Sequence, residues 1–282
     1  MKLTIAEQIM FSVLQINMLD ADSNLIGTAT GFIFQFCFDE KTKNYYPALV
    51  TNRHVASECD KISVLFTAAD ENGSPVTGKT IPVVFQNKNA IVFHPNPDID
   101  LAAILIGQEI NTLQKSGTKL CFCALPRFLI PDKDTWDSFD AVEQVLMVGY
   151  PKGLRDNANN LPIFRRGITA THPKYDFNGT PELLVDMPCY EGCSGSPVFI
   201  YNDGTLFDHH THNVSFGSQA FLLGVQHATI KSTTIGEIQM LPISNQPLVP
   251  KPVFEAYLNL GYVTKSTELL AIDSIINHKF GS

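Results

Sequence analysis

The sequence predicts an all-β protein, built as a sandwich or a pair of barrels, with one helix at its C-terminal end. Short apolar runs, many of them alternating, fill most of the chain, and such runs are typical of short antiparallel strands. Gly, Asn, Asp and Pro separate the runs, as in DENGSP and HPNPD. Only one stretch shows a clear helical period.

The predicted strands begin near the N-terminus and follow one another at short intervals. Each is an apolar run bounded by turn residues, and many such strands favour a sandwich or barrels over a helical fold. In chain order they cover residues 9–18, 27–38, 45–52, 61–66, 79–86, 101–106, 119–125, 142–150, 167–172, 181–187, 196–201, 219–230 and 237–243.

The predicted helix covers residues 266–280, with the sequence STELLAIDSIINHKF. Ser266 or Thr267 is available as its N-cap. Its apolar side chains recur at helical spacing, at Leu269, Ile272, Ile276 and Phe280. We expect this stripe to pack on the β structure, and a helix that binds a partner is the alternative.

The composition limits the classes of function. Apolar residues make up 44% of the 282 residues and charged residues 17%, an ordinary balance for a soluble globular protein. The formal net charge of -8 argues against a nucleic-acid partner and against a basic membrane-binding surface. No stretch approaches the roughly 18 apolar residues of a membrane span, and Glu7, Gln15 and Asn17 interrupt any signal-peptide pattern. If the chain begins at its native start, we expect a cytoplasmic protein.

The sequence contains six cysteines, and in a chain of this size without a leader we expect free thiols. Cys121 and Cys123 alternate along a predicted strand, so both sulfurs would share one face, as two zinc ligands could. Two buried thiols are the ordinary interpretation, so we predict no metal and no cofactor. We expect the histidines of DHHTH, at His209, His210 and His212, to lie in a solvated loop.

Three stretches carry residues that could act together in nucleophilic catalysis. LVTNRHVAS places His54 after an apolar strand, and HPNPDIDLAAILI places Asp100 at the end of a polar loop. EGCSGSPVF places Ser194 in a Gly-rich turn. A serine nucleophile needs a base within hydrogen-bond reach and an acid that orients the base. Each motif is weak alone, and their conjunction in one order is what makes the pattern specific.

These stretches resemble the chymotrypsin-like serine proteases, and among them the HtrA-type and bacterial trypsin-like peptidases. The likeness lies in TNRHV around the histidine, DLA after the loop and GCSGSP around the serine. Asp186, VGYPKGL at 148–154 and GVQHATI at 224–230 add to it. The resemblance runs from about Gly27 to Thr229, and we expect no appended PDZ domain.

The resemblance implies a single trypsin-like peptidase domain, over residues 1–282, of two packed six-stranded antiparallel β-barrels. The first barrel would cover about 1–115 and the second about 116–262. Residues 263–282 would form the C-terminal α-helix.

The resemblance also implies a role for each residue of the constellation. Ser194 would be the nucleophile, His54 the general base and then acid, and Asp100 the residue that orients His54. The backbone N–H groups of Gly192 and Ser194 would form the oxyanion hole, because a glycine leaves room for a carbonyl oxygen. Asp98 is the competing acid, and the Leu-Ala-Ala run after Asp100 favours Asp100.

The sequence departs from the pattern at Cys193, where zymogens of the family carry an Asp that pairs with a newly cut N-terminus. We therefore expect no activation by N-terminal insertion. Cys193 is also the rival nucleophile, but Gly195 directly follows Ser194, so the frame fits serine.

Five residues are candidates to line the substrate cleft: Pro188, Gly224, Gln226, His227 and Thr229. The position that lines the floor of the primary pocket in trypsin would fall near Pro188, where no acid lies, so no strong preference for Arg or Lys at the cleavage site is implied.

The resulting hypothesis is a serine endopeptidase that cleaves peptide bonds through an acyl-enzyme. Its partner would be a protein or peptide substrate. A regulated processing protease with a narrow protein substrate, and an activating partner, is a variant of this hypothesis. A catalytically silent module of the same fold, which uses the cleft to bind a peptide, is the alternative from another class.

Overall fold

The computed structural model describes residues 3–86, 88–207, 213–235 and 253–280. The strands in these ranges are β1 Val13–Leu19, β2 Leu25–Phe36, β3 Tyr46–Thr51, β4 Lys61–Ala69, β5 Pro75–Phe85, β6 Ile91–Phe93, β7 Ala102–Leu105, β8 Leu120–Cys121, β9 Gln144–Gly149, β10 Ile163–Thr169, β11 Glu182–Asp186, β12 Pro197–Phe207, β13 Val214–Ile235 and β14 Val253–Lys265. The α-helices are α1 Ile5–Ser12, α2 Arg53–Ser57, α3 Gly107–Lys115, α4 Lys133–Ser138 and α5 Leu269–Phe280. The predicted strand at 237–243 and the DHHTH histidines, His209, His210 and His212, lie outside the described residues.

Strands β1 to β8 form one antiparallel sheet, called here the N-terminal sheet. Its order is β5-β4-β1-β2-β3-β7-β6, and β8 pairs with β4. It therefore has eight strands and not the predicted six. Two short strands, β6 and β7, lie on either side of the polar loop that contains Asp100. The run predicted as a strand at 119–125 contributes only the two residues of β8. Because β8 starts at Leu120, this sheet extends past the predicted boundary at about 115.

Strands β9 to β14 form the C-terminal sheet, which closes on itself in the order β10-β11-β14-β13-β12-β9. It has the six antiparallel strands that were predicted. Bulges interrupt the register near Val198 on β12 and on either side of Ala228 on β13. Such bulges sharpen the bend of a strand, which suits closure into a barrel. The all-β class with two large sheets is confirmed.

The two sheets share a buried apolar cluster, and the C-terminal helix packs on it. Its large members include Phe32 and Phe34 from β2, Phe199 from β12, and Tyr150, which directly follows β9. Leu269, Ile272 and Ile276 of α5 are fully buried in this cluster. The predicted helix and its inward stripe are confirmed, except that the ring of Phe280 stays 41% exposed. A short 3-10 turn, Ser266–Glu268, precedes the helix, and Lys265 instead of Ser266 or Thr267 takes the N-cap position of that turn.

The strand predicted at 9–18 is wrong in its first part, because helix α1 occupies Ile5–Ser12 and β1 begins at Val13. Thr4 and Glu7 form a complete capping box, in which each side chain accepts the other residue's backbone N–H. This pattern is a helix-start signal, but the apolar run that follows it also fits a strand. Across the part of the chain that the structure describes, no helix combines the length and the apolar character needed to cross a membrane.

Candidate active site

The histidine segment, residues 52–54, lies where β3 runs into helix α2, and it reaches across to the loop that precedes β7. Asn52 holds the N-cap position of α2 but makes no capping hydrogen bond, and its Nδ2 donates to the Asp100 carbonyl oxygen at 2.8 Å. Arg53 donates from Nη2 to the His94 carbonyl oxygen. The side chains of Asn52 and Arg53 therefore fix this loop against α2.

His54 holds the carboxylate of the aspartate loop, residues 94–100, with two hydrogen bonds. Its backbone N–H donates to Asp100 Oδ1 at 2.9 Å, and its ring Nδ1 lies 2.6 Å from Asp100 Oδ2. A ring that donates from Nδ1 presents Nε2 as an acceptor. The carboxylate bonded to the His54 ring is that of Asp100, whereas the rival acid, Asp98, is exposed.

Electrostatics at this pair favour an imidazole that readily takes a proton. The hydrogen bond to Asp100 raises the pKa of His54 above its ordinary value, against the burial that would lower it. Burial would raise the pKa of Asp100, but the hydrogen bonds from the ring and the backbone of His54 outweigh it, so the pKa of Asp100 lies below its usual value. The side chains are 37% and 25% exposed, so the pair is open to solvent and to a substrate.

Ser194 lies in the serine turn, residues 188–195, which depends on two glycines with positive φ. The φ angle is 86° at Gly192 and 85° at Gly195, a region that favours glycine. A Cβ on Gly192 would lie 2.5 Å from the Tyr150 carbonyl oxygen, and one on Gly195 would overlap the Thr30 carbonyl oxygen. These close approaches explain why positions 192 and 195 hold glycine.

Thr30, a buried residue of β2, joins the serine turn to the N-terminal sheet. Its backbone N–H donates to the Ser194 carbonyl oxygen at 2.9 Å, and its Oγ1 donates to the Gly192 carbonyl oxygen at 2.8 Å. Its own carbonyl oxygen accepts from Thr51 Oγ1 at 2.8 Å, three residues before His54. Thr30 thus brings the serine turn beside the histidine segment. The sequence-based prediction missed this residue, because a threonine within an apolar strand carries no functional signal.

The backbone N–H groups of the serine turn differ in whether they donate to another part of the described structure. The Cys193 N–H donates to the Tyr190 carbonyl oxygen, and the Gly195 N–H donates to the Gln226 carbonyl oxygen at 2.8 Å. Within the described residues, no hydrogen bond is found from the backbone N–H of Gly192 or of Ser194. These are the two groups that the sequence predicted for an oxyanion hole.

The two cysteines of the serine turn are inert in their surroundings. Cys189 and Cys193 are fully buried in the apolar core of the C-terminal sheet. Burial raises the pKa of Cys189 to about 12 and also raises the pKa of Cys193. A thiol must ionise to act as a nucleophile, so the geometry favours Ser194 over Cys193.

Three of the predicted substrate-lining residues belong to the framework of the site. Pro188 accepts a hydrogen bond on its carbonyl oxygen from Arg165 Nη1. Gly224 lies in β13, where a Cβ would overlap the carbonyl oxygen of Thr264 on β14. Gln226 is 2% exposed and donates its N–H to the Ser196 carbonyl oxygen at 2.9 Å.

The other two predicted substrate-lining residues make side-chain contacts of their own. His227 Nε2 lies 3.0 Å from Glu182 Oε1. Thr229 donates from Oγ1 to the Leu260 carbonyl oxygen at 3.2 Å.

The pair considered for zinc does not share a strand face, since β8 ends at Cys121 and Cys123 lies beyond it, bonded from its N–H to the Phe11 carbonyl oxygen. Among the described residues, no group of three or more His, Cys, Asp or Glu side chains is placed to hold a metal ion. All six cysteines are free thiols.

Comparison with known proteins identifies the class. Residues 29–207 match the trypsin-like peptidase domain, and the chain belongs to this family. No curated protein sequence matches it. Among solved structures it is similar to a serine endoprotease from Yersinia pestis, at 14% identity over 100% of this chain and 68% of that one, with a TM-score of 0.44. It is also similar to the active form of a protease from M. tuberculosis, at 13% identity over 96% and 82% of the two chains and a TM-score of 0.44. Family membership supports a serine protease with protein substrates.

Proposed function

We propose that the protein is a serine endopeptidase in which Ser194, His54 and Asp100 form the catalytic triad. The observation that carries this proposal is the double hydrogen bond between His54 and Asp100, which orients the ring so that Nε2 can act as a base. Thr30 supports it further, because it binds the serine turn next to the strand that leads to His54.

The proposed reaction begins when Ser194 Oγ bonds to the carbonyl carbon of the scissile peptide while its proton moves to His54 Nε2. The electron pair of the carbonyl double bond moves onto the oxygen, and the N–H groups of Gly192 and Ser194 stabilise that negative charge. The intermediate then expels the amine, which takes the proton from His54. Water attacks the acyl ester by the same route, releasing the acid and restoring Ser194.

We further propose that the enzyme acts on a narrow set of protein substrates and does not mature by N-terminal insertion. The apolar burial of Cys193 supports this second point, because the residue before the nucleophile offers no carboxylate to a buried amino terminus. Order in the serine turn therefore depends on its contacts with Thr30 and with the neighbouring turn at 150–153.

A fluorophosphonate probe tests the proposal, because it reacts with an activated serine and leaves a label that mass spectrometry can locate. We expect labelling of the native protein at Ser194 and loss of it in Ser194→Ala and His54→Ala. Ser274→Ala, on an exposed position of α5, serves as the matched control and should label like the native protein. A folded native protein that takes no label would instead support the peptide-binding module.

A further inference from the structure

A concave pocket of about 650 Å³ adjoins both the serine turn and the 150–153 turn. Its walls come from the segment 151–157, from Arg165 on β10 and from Tyr190 in the serine turn. We call it the cationic pocket, because three of its lining residues carry positive charge: Lys152, Arg155 and Arg165.

Two of the three charged groups lie against one aromatic ring, and both arginines donate to neutral oxygens, Arg165 to the Pro188 carbonyl oxygen. The Arg165 guanidinium stacks 4.9 Å from the centre of the Tyr190 ring, and Lys152 Nζ lies 5.8 Å from the same centre. Arg155 donates from Nη1 to Gln15 Oε1 at 3.0 Å and from Nε to Asn157 Oδ1 at 2.9 Å. These contacts fix both arginines but leave several of their N–H donors uncommitted.

These three cations lack an acidic counterpart. Across the described part of the chain, no carboxylate oxygen lies within 4.0 Å of a charged nitrogen of Lys152, Arg155 or Arg165. This is unexpected in a chain with 28 acidic and 20 basic residues. Like charges gathered in a concave surface focus a positive potential on whatever enters it. Guanidinium groups with free N–H donors match the planar geometry of a carboxylate.

The pocket shares a wall with the proposed oxyanion hole. The backbone N–H of Lys152 donates to the Glu191 carbonyl oxygen at 2.6 Å. A Cβ on Gly192 would lie 2.9 Å from the Lys152 nitrogen, so the 150–153 turn packs directly against the backbone that carries one oxyanion donor. A ligand that holds Lys152 and Tyr190 together would therefore also hold the serine turn.

We propose that the cationic pocket binds a carboxylate of an acidic peptide segment and that its occupation stabilises the serine turn in the conformation that reacts. This inference rests on the proposed function, which it extends by assigning a second binding site and its ligand chemistry. The carboxylate has two sources, an acidic residue of the substrate itself or an acidic segment of a separate activating protein.

Binding is tested first and without catalysis, by fluorescence anisotropy with fluorescein-labelled tetraglutamate as the probe and tetraglutamine as its neutral counterpart. We expect tetraglutamate to bind more tightly than tetraglutamine, and more weakly as salt is raised. Arg165→Gln and Arg155→Gln should each weaken tetraglutamate binding by about tenfold, since hydrogen bonds to charged groups are worth at least that much. Using both variants guards against a folding defect at one position.

Arg166→Gln is the matched control, because Arg166 neighbours Arg165 on β10 but is exposed and does not line the pocket. It should bind tetraglutamate like the native protein. Equal binding of the two peptides, or native affinity in both Arg155→Gln and Arg165→Gln, would overturn the proposal. So would equal weakening in Arg166→Gln, since that would indicate a diffuse effect of charge.

The source of the carboxylate is decided by the rate at which the fluorophosphonate probe labels Ser194. A rate that rises with unlabelled tetraglutamate indicates a separate activator. If the carboxylate belongs to a substrate, the bound tetraglutamate blocks the probe from Ser194, so the rate falls and glutamate-containing peptides are cleaved faster than glutamine-containing ones. An unchanged rate at saturating tetraglutamate would refute the coupling to the serine turn. If Ser194 never labels, the proposed catalytic function fails while the anisotropy measurement still decides whether the pocket binds.

Discussion

The two halves of the candidate active site are held in place in different ways. The histidine segment and the aspartate loop belong to one sheet, and three consecutive residues, Asn52, Arg53 and His54, each donate a hydrogen bond from one to the other. The serine turn lies in the C-terminal sheet, but two of its hydrogen bonds come from Thr30 in the opposite sheet.

The difference indicates which half can be regulated. The proposed base and its acid are bonded to each other within the N-terminal sheet, and the aspartate loop reaches the C-terminal region through the contact of His94 Nε2 with Glu268 Oε2 at 3.2 Å. The serine turn also takes hydrogen bonds from Thr30 across the two sheets, and the 150–153 turn lies against its Gly192. A change in the packing of the sheets should therefore alter the nucleophile and the oxyanion donors before it alters the base.

The largest expected effect comes from Asp100→Asn. The amide would no longer hold the His54 ring in the tautomer that accepts a proton, and in triads of this kind the loss of rate is about 10⁴-fold. The fluorophosphonate labelling rate of Ser194 measures it. Asp98→Asn is the control and should keep the native rate, because Asp98 is exposed and its carboxylate is not bound to His54. Comparable losses in the two variants would refute the role given to Asp100.

The sequence predicted the fold class and the residues of the constellation because these depend on local patterns. An apolar run bounded by turn residues predicts a strand wherever it occurs, and the motifs around His54, Asp100 and Ser194 each lie within a few residues. The structure brings His54 and Asp100 together, and their catalytic role stays a prediction. Helix α1 was missed although Thr4 and Glu7 carry its start signal, since the apolar run that follows also fits a strand.

The rest of the site could not be predicted because it depends on contacts between distant parts of the chain. Thr30 binds Gly192 across 162 residues, and Gln15 binds Arg155 across 140. The positions of Gly224 and Gln226 depend on the pairing of β13 with its neighbours, and their role in lining a cleft stays a prediction. No local sequence pattern indicates which residues come into contact when two sheets pack together.

Thr30→Val tests whether the serine turn depends on the opposite sheet. Valine keeps the volume but removes the hydroxyl that donates to the Gly192 carbonyl oxygen and accepts the Tyr150 N–H at 3.0 Å. Leaving these buried groups unpaired should lower the free energy of unfolding by about 1–3 kcal/mol. We expect the labelling rate of Ser194 to fall by about tenfold, an effect of the same size.

Urea denaturation and the labelling rate measure the two effects of this substitution. Thr28→Val, on the same strand, leaves both hydrogen bonds intact and should change neither quantity beyond a small margin. Native stability and a native labelling rate in Thr30→Val would show that the serine turn is ordered without help from the N-terminal sheet.

A smaller and separate effect is expected in the titration of His54. Because the hydrogen bond to Asp100 raises its pKa, the ring should titrate above the ordinary value in the native protein and at lower pH in Asp100→Asn. A protonated ring cannot act as a base, so activity should fall as pH decreases through this raised pKa. NMR of the imidazole protons follows the titration without requiring activity. A titration that is the same in both proteins would contradict the proposed pairing in solution.

The smallest effect is expected from Cys193→Ala. The thiol is buried and its raised pKa keeps it protonated, so its removal should cost only packing within the C-terminal sheet and lower the Ser194 labelling rate by a few-fold at most. Ser194→Ala, by contrast, should abolish labelling. The opposite pattern, with labelling retained in Ser194→Ala and lost in Cys193→Ala, would make Cys193 the nucleophile.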